Sequence, residues 1–341
     1  MTKENITIKD IARELGISPS TVSRALKDHP DISRATRDAV NELARKWNYK
    51  PNPIALSLKS GSSKTIGVII PEVVHYFFST VISGIEDVVY DRDYNMILCQ
   101  SNELQEHEVK NIFTLLSSRV DGILASVAKG TTDFTHYYNV IEKNIPLVFF
   151  DRVPEGMSTD RVVIDDEEGA YIAVKHLLRT GKKRVIHLSG PSNLVIANER
   201  IKGYLRAMKE YRLTPGPDDI IKCDTTGEAD DIVPNLLNRN PKPDAFFAVN
   251  DLTAAETLMI IKRAGFRIPE EIAVVGFTNS QISTLTDPGL TSVDQKGYDM
   301  GKVAAQLLID RIENHRIPFQ TKVINSELIV RGSSSLNYGR K

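Results

Sequence analysis

From Lys64 onward the chain repeats one texture: a short apolar run rich in β-branched residues, then an amphipathic helical pattern. "TIGVII" (65–70) precedes a helix near Phe78–Arg92, "NMILC" (95–99) one near Gln105–Ser117, and "DGILAS" (121–126) one near Asp133–Lys143, before "PLVFF" (146–150). The series resumes with "RVVI" (161–164) and a helix over Glu167–Arg179. "RVIHLSG" (184–190), "IIKC" (220–223) and "DAFFAV" (244–249) then lead into helices near Ala197–Glu210, Asp230–Asn238 and Leu252–Ala264, and "IAVVGF" (272–277) closes the run. Strands too apolar to alternate between water and core are buried on both faces. The pattern therefore predicts parallel sheets covered by helices. Two series of four or five strands each predict two similar, doubly wound α/β subdomains.

Residues 7–58 read differently. Thr7 stands where it can cap a first helix, with Asp10 as its capping-box partner and Ile8, Ile11, Ala12 and Leu15 at helical spacing. Gly16 breaks that helix. Ser18-Pro19 starts a second, with Pro at the position where a missing N–H costs nothing. Val22, Ala25 and Leu26 form its buried side, leaving Ser20, Thr21, Ser23 and Arg24 outside. A third helix over Ser33–Lys46 braces the pair through Ala35, Val40, Leu43, Ala44 and Trp47. Helix, Gly-containing turn and helix make a helix-turn-helix. Two short helices can equally be part of any all-α core, so charge matters. Residues 1–60 carry 11 Lys+Arg against 7 Asp+Glu, whereas the whole chain is −1. Positive charge gathered at one end suits phosphate contact. A short helix over Pro53–Lys59, with Ile54, Ala55, Leu56 and Leu58, is too short to hold alone and needs a partner to cover it. "SGSS" follows as a linker.

The 341-residue length predicts two or three units. No run of about 18 apolar residues is present to span a membrane, and the first residues lack the apolar core of a signal peptide. Cys99 and Cys223 sit in or beside strand-like runs and read as reduced thiols of a cytoplasmic protein. No Cys/His spacing suggests zinc, no phosphate-binding glycine motif follows a strand, and no catalytic triad order stands out. The reading is therefore of a non-enzyme that needs neither cofactor nor metal.

In parallel sheets, ligand groups come from loops at the carboxyl ends of strands. Those loops hold His75, Tyr76, Phe77 and Phe78; Asp151 and Arg152; Pro191 to Arg200; Asn250 and Asp251; and Thr278 and Asn279. Aromatic faces beside carboxylate, amide and guanidinium groups suit a polyhydroxylated or otherwise polar small molecule. Asp151, Asn250 and Asp251 can also cap helices, the aromatics can be core, and Arg200 can be a surface charge.

The chain resembles the LacI/GalR family of bacterial transcription regulators over residues 6–333. The motifs are "TIKDIARELGISPSTVSRAL", "TRDAVNELARKWNYKPNPIALSL", "TIGVIIP", "VDGILA", "HLSGP", "ERIKGY", "VND", "VVGF" and "LTSVDQ". The resemblance implies a helix-turn-helix headpiece (1–50), a hinge helix and linker (51–63) and an α/β core similar to periplasmic sugar-binding proteins (64–333). Its N-subdomain would hold about 64–163 and 294–325, its C-subdomain about 164–292 and 326–333, with a polar tail over 334–341. Residues 294–314 would return as a helix to the first subdomain.

The resemblance implies DNA contacts at Thr7, Ser18, Pro19, Ser20, Thr21, Ser23 and Arg24. Tyr49 and Asn52 match positions near the backbone, and Ala55 and Leu58 match hinge positions in the minor groove, Leu58 as the wedge. Pro19 is a departure: it offers only an apolar edge, so Arg24 is the better guanine reader. Phe77, Phe78, Asp151, Arg200, Asn250, Thr278 and Gln295 match effector positions. Thr278 stands where many relatives carry Asp, which admits an anionic ligand, and Thr225 is smaller than the usual aromatic. The missing C-terminal leucine heptad implies a dimer. The expectation is a cytoplasmic homodimeric repressor on a pseudo-palindromic operator in double-stranded DNA, controlled by a carbohydrate-like effector. The alternatives are a solute-binding protein, or an α/β enzyme with an appended DNA-binding domain.

Overall fold

The computed structural model describes residues 6–49 and 62–335. The expected hinge helix, with Asn52, Ala55 and Leu58, lies outside the described residues. The chain divides into two compact units between Ser63 and Lys64.

The first unit holds α1 (Ile8–Glu14), α2 (Pro19–Ala25) and α3 (Arg34–Lys46). Asp10 accepts from the Thr7 N–H at 2.9 Å and from its hydroxyl at 2.6 Å, closing the start of α1. Gly16 takes φ +63°, the left-handed conformation that a turn between helices requires and that glycine adopts without steric cost. Ser18 Oγ accepts the Thr21 N–H at 3.1 Å, and Ser33 Oγ the Thr36 N–H at 3.2 Å, so both later helices begin on a serine cap. Ile11, Ala12, Val22, Ala25, Ile32, Val40 and Ala44 form the core. Ala35 is not part of it: it is exposed on the first turn of α3, whereas Ile32, in the preceding loop, is.

The second unit contains two six-stranded sheets. β1 (Thr65–Ile70), β2 (Asn95–Gln100), β3 (Gly122–Ala125), β4 (Leu147–Phe150), β5 (Asp160–Ile164) and β11 (Thr321–Ile324) form one, in the order β2-β1-β3-β4-β5-β11. β6 (Val185–Ser189), β7 (Ile220–Lys222), β8 (Ala245–Ala248), β9 (Ala273–Thr278), β10 (Thr291–Asp294) and β12 (Glu327–Ile329) form the other, in the matching order β7-β6-β8-β9-β10-β12. Each is a doubly wound sheet with an added edge strand. The expected four or five strands fell short because β10, β11 and β12 are only three or four residues long; β11 is largely exposed and β12 half-buried. β12 runs antiparallel to β10, so the second sheet is not purely parallel as expected.

Helices α4 (Tyr76–Asp91), α5 (Gln105–Ser117) and α6 (Thr135–Glu142) serve the first sheet. The second is served by α7 (Asp166–Arg179), α8 (Val195–Glu210), α9 (Thr226–Leu237), α10 (Asp251–Arg263) and the short α11 (Ile282–Leu285). α12 (Gly297–Glu313) follows β10 of the second sheet but packs on α4 and the first sheet. The chain therefore passes between the sheets after β5, after β10 and again between β11 and β12. Because the connections that leave β1 and β3 run to strands on opposite sides, as do those that leave β6 and β8, each pair marks a switch in strand order, where a crevice forms at the carboxyl ends. Among the described residues no helix is long and apolar enough to cross a membrane.

Candidate nucleic-acid interface and ligand cleft

The start of α2 is a polar edge on a small apolar core. Ser18, Pro19, Ser20 and Arg24 are exposed, and Thr21 and Ser23 are half-buried. Ser18 Oγ lies 2.7 Å from Ser20 Oγ and 2.8 Å from Thr21 Oγ1, so the three hydroxyls form one hydrogen-bonded cluster around the cap. Thr7 is exposed at the start of α1. Tyr49 differs: it is half-buried against the core of this unit. Seven of the expected contact positions are thus presented around α1 and α2, while Tyr49 already has an apolar role. Asn52, Ala55 and Leu58 fall outside the described residues.

In the second unit, loops at the carboxyl ends of the two sheets meet, Lys129 after β3 bonding Asp224 after β7 and Asn193 after β6, and the strand-order rule puts the ligand cleft beneath them. Phe77 and Phe78 are not in a loop, as expected, but in the first turn of α4; both are buried, with ring centroids 5.2 Å apart. Arg152 lies with its guanidinium 5.7 Å from the Phe78 ring and donates through Nη1 to both oxygens of Glu103, at 2.8 and 2.9 Å. Arg200 is not a surface charge. It is 4% exposed, donates from Nε to Asp166 Oδ1 at 2.7 Å and from Nη1 to the Val249 carbonyl at 2.8 Å, and lies 3.8 Å over the Phe277 ring. Thr278 donates to Gln295 Oε1 at 2.9 Å across the ends of β9 and β10. Its φ of +133° is rare for a β-branched residue and marks strain at the cleft.

Asn250 does cap a helix: Oδ1 accepts the Thr253 N–H at 2.8 Å, and Nδ2 donates to the Asp224 carbonyl at 2.9 Å. Its second amide hydrogen and lone pair remain available. Asp251 is structural. It accepts the Ser280 N–H, the Ser280 hydroxyl and the Ser292 hydroxyl at 2.6, 2.9 and 2.5 Å, tying α10 to the ends of β9 and β10. Thr225 caps α9.

Asp151 is the exception among the charged groups. It is buried, no hydrogen bond reaches its carboxylate among the described residues, and the nearest cation, Arg152 Nε, is 3.8 Å away. Burial pushes its carboxyl up to about 6, with Asp166 and Glu103 adding to the shift and Arg152 and Arg200 opposing it. Arg152 Nε itself has no hydrogen-bond partner among the described residues. The two form a loose ion pair, with no hydrogen bond between them. The other cations here are already neutralised: Arg200 by Asp166, Arg152 by Glu103, and Lys129 by Asp224 at 2.5 Å. Asp166, Glu103, Lys129 and Asp224 were missing from the candidates read in the sequence. Polar residues just beyond β2, β3, β5 and β7 were the available signal.

Residues 7–52 match the family of bacterial regulatory proteins, lacI family, and residues 174–334 the periplasmic binding protein-like domain. Among curated relatives, the HTH-type transcriptional repressor PurR of Vibrio atlanticus (strain LGP32) is 33% identical over 96% of this chain and 98% of its own length. The PurR of Vibrio vulnificus (strain CMCP6) is also 33% identical, over 95% of this chain and 97% of its own. A solved complex of the transcriptional regulator CelR with cellobiose is 27% identical, covering 96% of this chain and 99% of that one, with a TM-score of 0.74. The lac repressor dimer bound to operator and the anti-inducer ONPF shares the fold, with a TM-score of 0.85 at 22% identity over 97% of this chain and 99% of its own. The chain belongs to the LacI family of bacterial regulators and is a DNA-binding transcriptional repressor, not an enzyme.

Proposed function

We propose that this repressor acts in the cytoplasm as a homodimer on a pseudo-palindromic operator, and that an uncharged carbohydrate bound between the two α/β subdomains controls its operator affinity. The observation that carries the carbohydrate reading is the charge balance of the cleft. Its cations are already paired with carboxylates, and Asp151, held only by the 3.8 Å pairing with Arg152 Nε, keeps acceptor capacity that no hydrogen bond uses. A ligand hydroxyl can donate to such an acceptor, whereas an anion would meet the Asp151 charge. The CelR relative holds cellobiose, which supports the same class. This argues against the anionic ligand that Thr278 admits on sequence grounds.

In this reading Phe77 and Phe78 form the apolar wall, and Asp151, Arg200, Asn250, Thr278 and Gln295 supply the polar contacts. On DNA, Ser18, Pro19, Ser20, Thr21, Ser23 and Arg24 meet the major groove. Thr7, Tyr49 and Asn52 lie toward the backbone, and Ala55 and Leu58 toward the minor groove. Self-association is favoured by the exposed Leu252, Met259 and Leu285, gathered along α10 and α11 around a recess of about 350 Å³. A thermal-shift screen of the full chain against neutral sugars and their phosphates tests the proposal. A neutral sugar at 100 times its Kd should add about 2.7 kcal/mol of stability. Stabilisation by phosphorylated sugars alone would overturn the uncharged class.

A further inference from the structure

Two loop systems meet over the cleft at the points where the strand order diverges. One follows β3 and carries Lys129. The others follow β6 and β7 and carry Asn193 and Asp224. Lys129 Nζ donates to Asp224 Oδ2 at 2.5 Å, and Asn193 Nδ2 donates to the Lys129 carbonyl at 2.7 Å. The ammonium and the carbonyl of one residue thus tie the first subdomain to the second.

Lys129 is held in place from behind. Its N–H donates to Glu103 Oε2 at 2.7 Å, and the Gly130 N–H donates to the Glu103 carbonyl at 3.2 Å. Glu103 also grips Arg152. One residue earlier, the Ala128 N–H donates to Glu108 Oε1 at 2.5 Å. The Thr131 hydroxyl and the His136 ring close on the other Glu108 oxygen at 2.7 and 3.1 Å. Glu108 is completely buried. A Cβ at Gly130 would stand 2.7 Å from the Glu103 carbonyl oxygen, so the close seat of the loop requires glycine. A loop fixed by two carboxylates presents its lysine already ordered, which lowers the entropy cost of the bridge.

The receiving side is equally fixed. Asp224 is buried, and Lys222 also reaches it, at 2.9 Å. Burial works to raise the Asp224 carboxyl, but the hydrogen bonds from Lys129 and Lys222 outweigh it and hold the group below the usual carboxylate range.

We propose that Lys129, with Asn193 and Asp224, is a clasp that sets how far the cleft is closed. Lys129 is then a positioning residue: it raises the affinity of whatever binds the cleft without touching it, because a ligand that needs the closed arrangement finds more of it. The clasp itself does not depend on the carbohydrate reading; only its consequence for ligand affinity does.

The test places nitroxides at Thr132→Cys and Ser192→Cys in the full chain, with Cys99→Ser and Cys223→Ser, and measures their separation by pulsed dipolar spectroscopy. No ligand is needed, so failure of the carbohydrate reading leaves the result interpretable. Lys129→Met and Asn193→Ala should each add a longer-distance population, with Lys129→Met lowering the closed-to-open ratio about tenfold or more. Lys129→Arg should restore the parent distribution, and the thermal midpoint of Lys129→Met should stay near the parent value. An unchanged distribution in Lys129→Met would overturn the clasp. So would a fallen midpoint without a longer distance, or a Lys129→Arg variant as open as Lys129→Met.

Discussion

Replacing Arg200 by Met tests the cleft and the fold together. Met keeps much of the side-chain volume but removes the bonds to Asp166 Oδ1 (2.7 Å) and the Val249 carbonyl (2.8 Å), and the cation over Phe277. The main cost is the Asp166 carboxylate, buried at 6% exposure and now without its cation. Breaking one side of a buried pair costs roughly 3–5 kcal/mol, and the orphaned Val249 carbonyl adds about 1 kcal/mol or more. Asp166 already titrates above the usual range, because burial outweighs the opposing effect of Arg200. Without Arg200 it titrates higher still. The deficit should therefore be smallest below about pH 4, where Asp166 is protonated folded and unfolded, and grow as pH rises through its raised folded value. Urea unfolding of the parent, Arg200→Met, Asp166→Asn and the double variant at pH 4.5 and 7.5 measures this. The double variant should recover most of the loss at pH 7.5. Additive losses, or a deficit independent of pH, would refute the reasoning. A weakened effector response in any Arg200 variant consequently reports lost stability as well as a lost contact.

Asp151→Asn should stabilise the core by about 2–3 kcal/mol at pH 7.5 and by almost nothing at pH 4. The reason is that the folded carboxyl sits at about 6 and the ordinary value is 3.8. The parent's stability from this group is fully present below pH 4 and is lost as pH rises through 6, and chemical unfolding across that window checks it. Leu58→Ala should weaken binding to an operator selected from random-sequence DNA by about tenfold or more, while non-specific binding falls far less, because only the bent operator gains from a wedge. Equal losses on both DNAs, read by fluorescence anisotropy, would remove Leu58 from that role.

Local signals carried the architecture well where a single physical cause was at work. Buried runs such as "TIGVII" and "DAFFAV" fall on β1 and β8, and α5 occupies the span its amphipathic pattern marks. β11 and β12 were not legible, because β11 is an exposed edge strand with no buried face to impose a pattern and β12 is only three residues long, too short to show one. Helix starts were read late where a cap, not a periodicity, fixes them: α9 begins at Thr226 because Thr225 accepts the Glu228 N–H. Within the cleft, the residue types at the ends of strands were readable, but their pairings were not. Nothing local says that Arg200 meets Asp166, 34 positions earlier, or that Lys129 meets Asp224, 95 positions later. Those pairings decide which carboxylate is left over, and so the ligand chemistry the cleft can accept.

The central claim is that ligand binding in the cleft and operator binding are linked. Linked sites must alter each other's affinity by the same factor. The direct measurement is the operator affinity of the full chain with and without the sugar that stabilises it, set against the affinity for that sugar with and without operator. The two factors should be equal, and at least about fivefold. Operator affinity that does not change at saturating sugar would contradict it.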